Sequence, residues 1–192
     1  MARGSGVHSA FVHGRKQHLL SDLTGTLVEI GSGTGVNLEF LPEGVRIIGV
    51  DPNPFMHAHF RREARARRRP AHLVRGVAES LPFPDESVDA VLSTLVLCSV
   101  PFLQHTLGEV LRVLKPGGKF LFIEHVAAPE GTWLRRVQRM ARPIWSRIGD
   151  GCQPDRTTGE ALLEAGFSNV TLDRFSVPLL LVSPHISGSA EK

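Results

Sequence analysis

Cysteine is scarce: two thiols, Cys98 and Cys152, in 192 residues exclude a disulfide framework and point to a reducing, cytoplasmic setting. Long apolar runs are lacking as well. The longest, residues 177–182, is interrupted by Pro178, whereas a membrane-spanning helix needs about 20 such residues. The opening stretch, MARGSGVHSAFVHGRKQHLL, has no apolar core of the kind a signal peptide carries. Charge of one sign is also in short supply. The 22 Lys plus Arg against 19 Asp plus Glu give +3, and the excess is mostly local, which argues against a nucleic-acid partner. No internal repeat and no interior low-complexity linker is present. The chain does have 42% apolar residues over its 192 positions, enough for a single domain (1–192) with a sizeable core. Residues 1–18 read as an N-terminal arm or helix preceding a core over 19–192. The first ten residues or so and the last few, rich in Gly, Ser, Ala and charge, are expected to fray.

Short β-branched runs alternate with helical ones. Strands are predicted at 26–30, 45–50, 71–75, 88–92, 119–126 and 170–175, with another around 185–190. Helices are predicted at 54–69, 101–114, 132–148 and 157–165. Val110, Leu111 and Leu114 give the helix at 101–114 an inward face, and Lys115-Pro116-Gly117-Gly118 stops it. This alternation implies βαβ crossovers, hence an α/β fold built on a doubly wound, mostly parallel, seven-stranded sheet with helices on both faces.

The most informative stretch is Val28-Glu29-Ile30-Gly31-Ser32-Gly33-Thr34-Gly35. An apolar strand runs into glycines at alternate positions and then into a helix start, so the backbone can approach a ligand closely. A dinucleotide fingerprint needs glycine or alanine at position 36, which is Val36, and the Gly-Lys-Ser/Thr of a Walker loop is absent. The second strand ends in Gly49-Val50-Asp51-Pro52-Asn53-Pro54. An acidic residue at that strand tip is well placed to accept hydrogen bonds from both hydroxyls of a ribose. On its own the loop also fits an ordinary tight turn. Three further segments follow in order: Val77-Ala78-Glu79-Ser80-Leu81-Pro82-Phe83, then Ser87-Val88-Asp89-Ala90-Val91, then Leu114-Lys115-Pro116-Gly117-Gly118.

Together these segments resemble the class I S-adenosylmethionine-dependent methyltransferases over residues 19–175, which implies a Rossmann-like fold and that cofactor. By the resemblance, Gly31, Ser32, Gly33 and Gly35 pass under its methionine part, and Glu29 acts on the amino-acid end through water or the loop backbone. Asp51 holds the ribose, Pro52, Asn53, Ala78 and Glu79 flank the adenine, and the backbone at Thr94 and Leu95 faces the ammonium. Many such enzymes carry Asp before the Ala-Glu pair where this chain has Val77, so either Glu79 or backbone reads the adenine here.

A narrower resemblance rests on Thr94-Leu95-Val96-Leu97-Cys98-Ser99-Val100, Glu124-His125-Val126-Ala127-Ala128, Gly149-Asp150-Gly151-Cys152 and Pro184-His185-Ile186, together with Asp51-Pro52-Asn53-Pro54. These are similar to the methyltransferase-like protein 7 family and its bacterial relatives. Animal members methylate small alkyl thiols on sulfur and sit on membranes through an N-terminal hydrophobic segment. This chain shows no such segment, so the resemblance implies a small apolar thiol acceptor without that anchor. N-, O- or C-methylation of a lipid-like or natural-product acceptor is the alternative, and a binding module without catalysis is the second alternative.

Thiol methylation needs a thiolate, and only a few per cent of an alkyl thiol is ionised at pH 7. His125, at the C-terminal edge of the fifth predicted strand, is the candidate general base. Asp150 is expected to orient that ring or bind substrate, or else simply to form its turn. The spacing of Cys98 and Cys152 fits no zinc pattern, so no metal is expected and the thiols read as buried and inert. His185 reads as structural or pocket-lining. The arginine run at 61–69 reads as a solvated helix face. In 132–148, apolar residues from Trp133 to Ile148 recur at helical spacing with arginines between them, and Pro143 should kink or divide the helix. Packed on the sheet, that helix would turn its arginines outward; as a lid over an apolar substrate, it would also offer peripheral contact to an anionic membrane. A monomer or a homodimer is compatible with all of this.

Overall fold

The computed structural model describes residues 2–192, with side chains from Ala10 onward. After α1 (Ala2–Leu20) come β1 (Thr26–Ile30), β2 (Arg46–Val50), α2 (Pro54–Ala66), β3 (Ala71–Val74), β4 (Val88–Thr94) and α3 (Leu103–Val113). They are followed by β5 (Leu114–His125), α4 (Trp133–Ile148), α5 (Thr158–Glu164), β6 (Asn169–Ser176) and β7 (Pro184–Glu191). The seven strands form one sheet in the order β3-β2-β1-β4-β5-β7-β6. Strands β1 to β5 are mutually parallel, while β7 runs antiparallel to both β5 and β6. The expected mostly parallel sheet is present.

Central strands are apolar on both faces because helices cover both. Leu27, Val28 and Ile30 of β1 and Val88, Ala90, Val91 and Leu92 of β4 are all buried, the run expected of parallel strands. On one face Phe60 and Ala64 of α2 pack with Leu20 and Leu23 near the end of α1, against Leu27, Ile47 and Leu121. On the other, Leu107, Val110 and Val113 of α3 and Leu162 of α5 pack against Val28, Val91, Phe120 and Phe122. Each of the Val, Leu, Ile and Phe side chains contributes about 1.5–3 kcal/mol by leaving water. Helix α2 starts where its sequence dictates: the Asn53 side chain accepts from the Phe55 N–H, and Pro54 occupies the first turn.

Chain order reverses between β1 and β4, because β1 leads outward to β2 and β3 while β4 leads the other way. In open sheets of this kind the crevice at that reversal, beyond the strand C-termini, is where ligands bind. The glycine loop follows β1 and the 95–100 turn follows β4, so both lie at this reversal.

Several expectations need correction. The last residues do not fray. Lys192 N–H donates to the Gly118 carbonyl, the Gly117 N–H donates to the Lys192 carbonyl, and Glu191 pairs with Lys119, so strand pairing outweighs a polar composition. At the other end, α1 begins at Ala2. The helix start after Gly35 is a single 3₁₀ stretch, Val36–Phe40, stopped by extended Leu41.

Helix α4 runs through Pro143 without a break. Leu134, Val137, Ala141 and Trp145 are half-buried and Arg136, Arg139, Arg142 and Arg147 exposed, as expected, but part of its apolar side is left outside. Arg135 and Gln138 are buried, whereas Trp133, Met140, Ile144 and Ile148 are exposed. The inward polar groups satisfy loop backbone: Gln138 accepts from the Ala128 N–H and donates to the Leu181 carbonyl, and Arg135 donates to the Asp155 carbonyl. Among the described residues no helix is long and apolar enough to cross a membrane.

Candidate active site

The glycine loop adopts a conformation few other residues tolerate. Gly31, Gly33 and Gly35 have φ of 60, 51 and 83°, in the left-handed region. A Cβ at Gly31 would stand 2.4 Å from Val96 Cγ2, so this glycine lets the loop lie against the turn after β4. A Cβ at Gly33 would meet nothing closer than 3.8 Å, so the loop's other side has room for a ligand.

Asp51 closes the loop from the tip of β2. One carboxylate oxygen accepts from the Gly33 N–H and the other from the Asn53 N–H, each at 2.8 Å. An ionised carboxylate has about four acceptor positions, so two remain for hydroxyl donors. Glu29 is buried beneath the loop. Its Oε1 accepts from Asn37 Nδ2 at 2.6 Å, and the same amide donates to Thr94 Oγ1 at 3.1 Å. Asn37 therefore joins the end of β1 to the end of β4. Buried Lys16 of α1 faces Glu29, and burial holds its ammonium below the usual lysine range. Glu29 Oε2 and Ser32 Oγ are buried with no hydrogen-bond partner in the protein.

The turn after β4 is held from two sides. Leu95 has φ 58° and donates its N–H to the Ile123 carbonyl. Glu124, fully buried, accepts from Ser93 Oγ at 2.5 Å and from the Val96 N–H at 3.1 Å. From the opposite side the Arg156 guanidinium donates to the Leu97 and Val100 carbonyls at 2.8 and 2.6 Å. Cys98 sits in this clamped turn, and the Gln153 N–H donates to its carbonyl.

His125 is buried at the end of β5, with Nε2 3.0 Å from Cys152 Sγ. The Trp145 indole N–H also reaches that sulfur, at 3.1 Å. Hydrogen bonding from the Cys98 thiol, and then from His125 and Trp145, holds the Cys152 thiol well below the usual range. The same shared proton and burial push the Cys98 thiol up. His185 lies edge-on to His125 at 6.2 Å, and burial lowers its pKa to about 4, which keeps its ring neutral above that pH.

Comparison with known proteins draws this geometry together. Residues 28–122 match the family described as a methyltransferase domain. Thiol S-methyltransferase TMT1B of Homo sapiens is 40% identical, over 93% of this chain and 78% of that protein. Thiol S-methyltransferase TMT1A of Homo sapiens is 41% identical, over 87% of this chain and 70% of that protein. The chain belongs to the thiol S-methyltransferase family. Among solved structures, an S-adenosylmethionine-dependent methyltransferase from Mesorhizobium loti superposes with a TM-score of 0.72 at 20% identity, covering 97% of this chain and 100% of that one. At that identity the likeness concerns the fold alone.

In this methyltransferase the residues singled out from sequence fall into two groups. Glu29, Gly31, Ser32, Gly33, Gly35, Asp51, Thr94 and Leu95 converge at the reversal of strand order, joined by the contacts above. Pro52 and Asn53 are exposed beside them, and Ala78 is buried. Half-buried Glu79 turns toward the start of α3, where its carboxylate accepts weakly from the Phe102 N–H at 3.5 Å. On the acceptor side, Cys152 and not Asp150 meets the His125 ring. Asp150 is exposed in a turn with φ 49° and makes no hydrogen bond to that ring. Asn37, Lys16, Glu124 and Arg156 were not anticipated. The one readable signal was Glu124, a carboxylate inside the otherwise apolar run Phe120-Leu121-Phe122-Ile123.

Burial raises the Glu29 pKa from 4.5 to about 7, against the lowering effects of Asn37 and Lys16. Because the folded value lies above the unfolded one, the protonated side chain favours the folded state. That contribution is complete below pH 4.5 and is lost as pH rises through about 7. Glu29→Gln is therefore expected to match the parent protein in urea midpoint at pH 5 and to exceed it at pH 8. Equal midpoints at both values would remove Glu29 as the source of this loss.

Proposed function

We propose that this chain transfers the methyl group of S-adenosylmethionine to the sulfur of a small, fairly apolar thiol. The observation that carries the reading is where the similarity extends. The general methyltransferase domain ends at residue 122, yet 40% identity to a thiol S-methyltransferase spans 93% of the chain. It therefore takes in the acceptor-side segments around His125 and Cys152. A reducing cytoplasm, in which Cys98 and Cys152 form no disulfide, suits this role.

The residues present fit the methyl donor. The orphaned Glu29 Oε2 and Ser32 Oγ supply acceptors for an ammonium group below a glycine loop with open space above Gly33. Asp51 keeps acceptor capacity for the ribose, and Ala78 and Asn53 border the adenine. When bound, the donor supplies an electrophilic methyl on a sulfonium. The chain's own work is alignment and exclusion of water. The clamped 95–100 turn lies between the glycine loop and His125 and fixes the line along which an acceptor approaches, and such alignment supplies about 7–11 kcal/mol of a displacement barrier. Meeting a thiolate with a sulfonium removes two charges, so a water-poor pocket favours the reaction.

The test is formation of S-adenosylhomocysteine with a panel of alkyl thiols, amines, phenols and phospholipid headgroups at pH 7 and 8.5. Turnover confined to thiols and rising with pH is expected. Turnover with amines or phenols instead would replace the acceptor, and tight cofactor binding without turnover would reduce the chain to a binding module.

A further inference from the structure

Cys98, His125 and Cys152 come from three separate segments: the turn after β4, the last residue of β5 and the turn after α4. All three side chains are buried, and their ligating atoms lie within 4.8 Å of one another. The positions are held from outside the cluster. Glu124 and Arg156 clamp the Cys98 turn, and Trp145 donates to the Cys152 sulfur. Val96, two residues before Cys98, packs against Gly31, so the cluster adjoins the glycine loop.

Two thiols and an imidazole, with no carboxylate among them, are a soft donor set suited to zinc. Tetrahedral zinc, with bonds of about 2.3 Å to sulfur and about 2.0 Å to nitrogen, holds such atoms about 3.5–3.8 Å apart. The 3.0 Å between His125 Nε2 and Cys152 Sγ and the 4.8 Å outer limit of the cluster bracket that range. An indole N–H directed at one sulfur is the kind of outer contact that fixes a metal thiolate. Sequence spacing concealed the set, because the ligands fall on three segments with no two within one short motif.

We propose that Cys98, His125 and Cys152 bind one zinc ion, whose fourth position takes the acceptor sulfur as a thiolate. The second half of the proposal rests on the thiol-methylating reading above. Three protein ligands with one open position are the arrangement of catalytic zinc sites. On binding, the acceptor S–H bond breaks, its proton leaves to solvent and the sulfur bonds to zinc. An electron pair on that sulfur then forms the new S–CH₃ bond as the sulfonium–CH₃ bond breaks, giving neutral S-adenosylhomocysteine and a thioether, whose weakened Zn–S bond then breaks and reopens the fourth position. His125 is then a ligand, and ionisation of the acceptor comes from the metal and not from an imidazole base.

Cobalt(II) is the probe. Protein stripped with a chelator under reducing conditions and titrated with cobalt alone is expected to bind one equivalent, with an intense thiolate-to-cobalt charge-transfer band and tetrahedral d–d absorption. Cys98→Ser and His125→Asn, each checked for fold by circular dichroism, should weaken both features, and the wild-type titration stands whichever variants fold. Butanethiol added to the cobalt protein should shift the d–d bands. Its turnover at pH 7 should fall at least about 30-fold on stripping, because even a thiol as acidic as cysteine is only a few per cent thiolate at that pH, and return with one equivalent of zinc.

The absence of a charge-transfer band, or a Cys98–Cys152 disulfide under those conditions, would overturn the zinc site, and undiminished butanethiol turnover by stripped protein would overturn the acceptor's place on the metal. Cobalt binding needs no methyl acceptor, which separates the two failures. A normal cobalt spectrum with methylation only of amines or phenols would overturn the thiol reading and with it the acceptor's place on the metal. Thiol turnover without any cobalt signature would overturn the site alone.

Discussion

Asp51→Ala is expected to lower affinity for S-adenosylhomocysteine at least 100-fold, about 3 kcal/mol, read by calorimetry. Two effects combine. A hydrogen bond to a charged acceptor contributes about 1.5–3 kcal/mol, and Asp51 at the tip of β2 has capacity for both ribose hydroxyls. The carboxylate also organises the loop, accepting from the Gly33 and Asn53 N–H groups at 2.8 Å, so its loss leaves the cradle less ordered before any ligand arrives. Asp51→Asn keeps one acceptor oxygen and should fall between the two. Unchanged affinity in Asp51→Ala would remove this residue from the donor site.

Glu124→Ala should destabilise the fold by about 3 kcal/mol or more, measured as a shift in the urea midpoint at pH 7. The carboxylate is wholly buried and accepts from Ser93 Oγ and the Val96 N–H. Alanine would strand both donors, at about 1–3 kcal/mol each, and would leave a cavity in a well-packed region. Glu124→Gln retains an acceptor at similar volume and should recover most of the loss. Equal instability of the two variants would mean that the negative charge, and not the hydrogen bonds, holds the turn after β4.

The donor half of the site was legible because it is local. A strand, alternating glycines and an acidic residue at the next strand tip lie within residues 28–51, and each residue type answers a backbone or hydrogen-bonding need that can be read in place. The sheet was legible for a similar reason, since β-branched runs and intervening helices dictate the crossovers. The acceptor half was not, because it is assembled by topology. Nothing near His125 in sequence points to Cys152, and only the approach of the turn after α4 to the end of β5 joins them. Sequence points to the right turn through Asp150, but the residue that reaches the His125 ring is Cys152, two positions on.

Helix α4 misled in a different way. Its apolar residues recur at helical spacing, and periodicity normally marks the buried face. Here the loops beneath it expose backbone groups at Ala128, Asp155 and Leu181 that need polar partners. Arg135 and Gln138 turned inward to meet them, and Trp133, Met140, Ile144 and Ile148 were left outside. Hydrogen-bond demand from elsewhere in the fold decided the orientation, and the helix sequence alone does not contain that demand.

Mercaptohexanol offers sulfur and oxygen nucleophiles on one apolar chain, so the position of the transferred methyl tests acceptor choice with size and hydrophobicity held constant. Incubation with methyl-labelled S-adenosylmethionine, followed by mass spectrometry of the product, is predicted to show label on sulfur alone. Label on oxygen, or no labelled product from a protein that binds the donor, would contradict the assignment of this chain as a thiol S-methyltransferase.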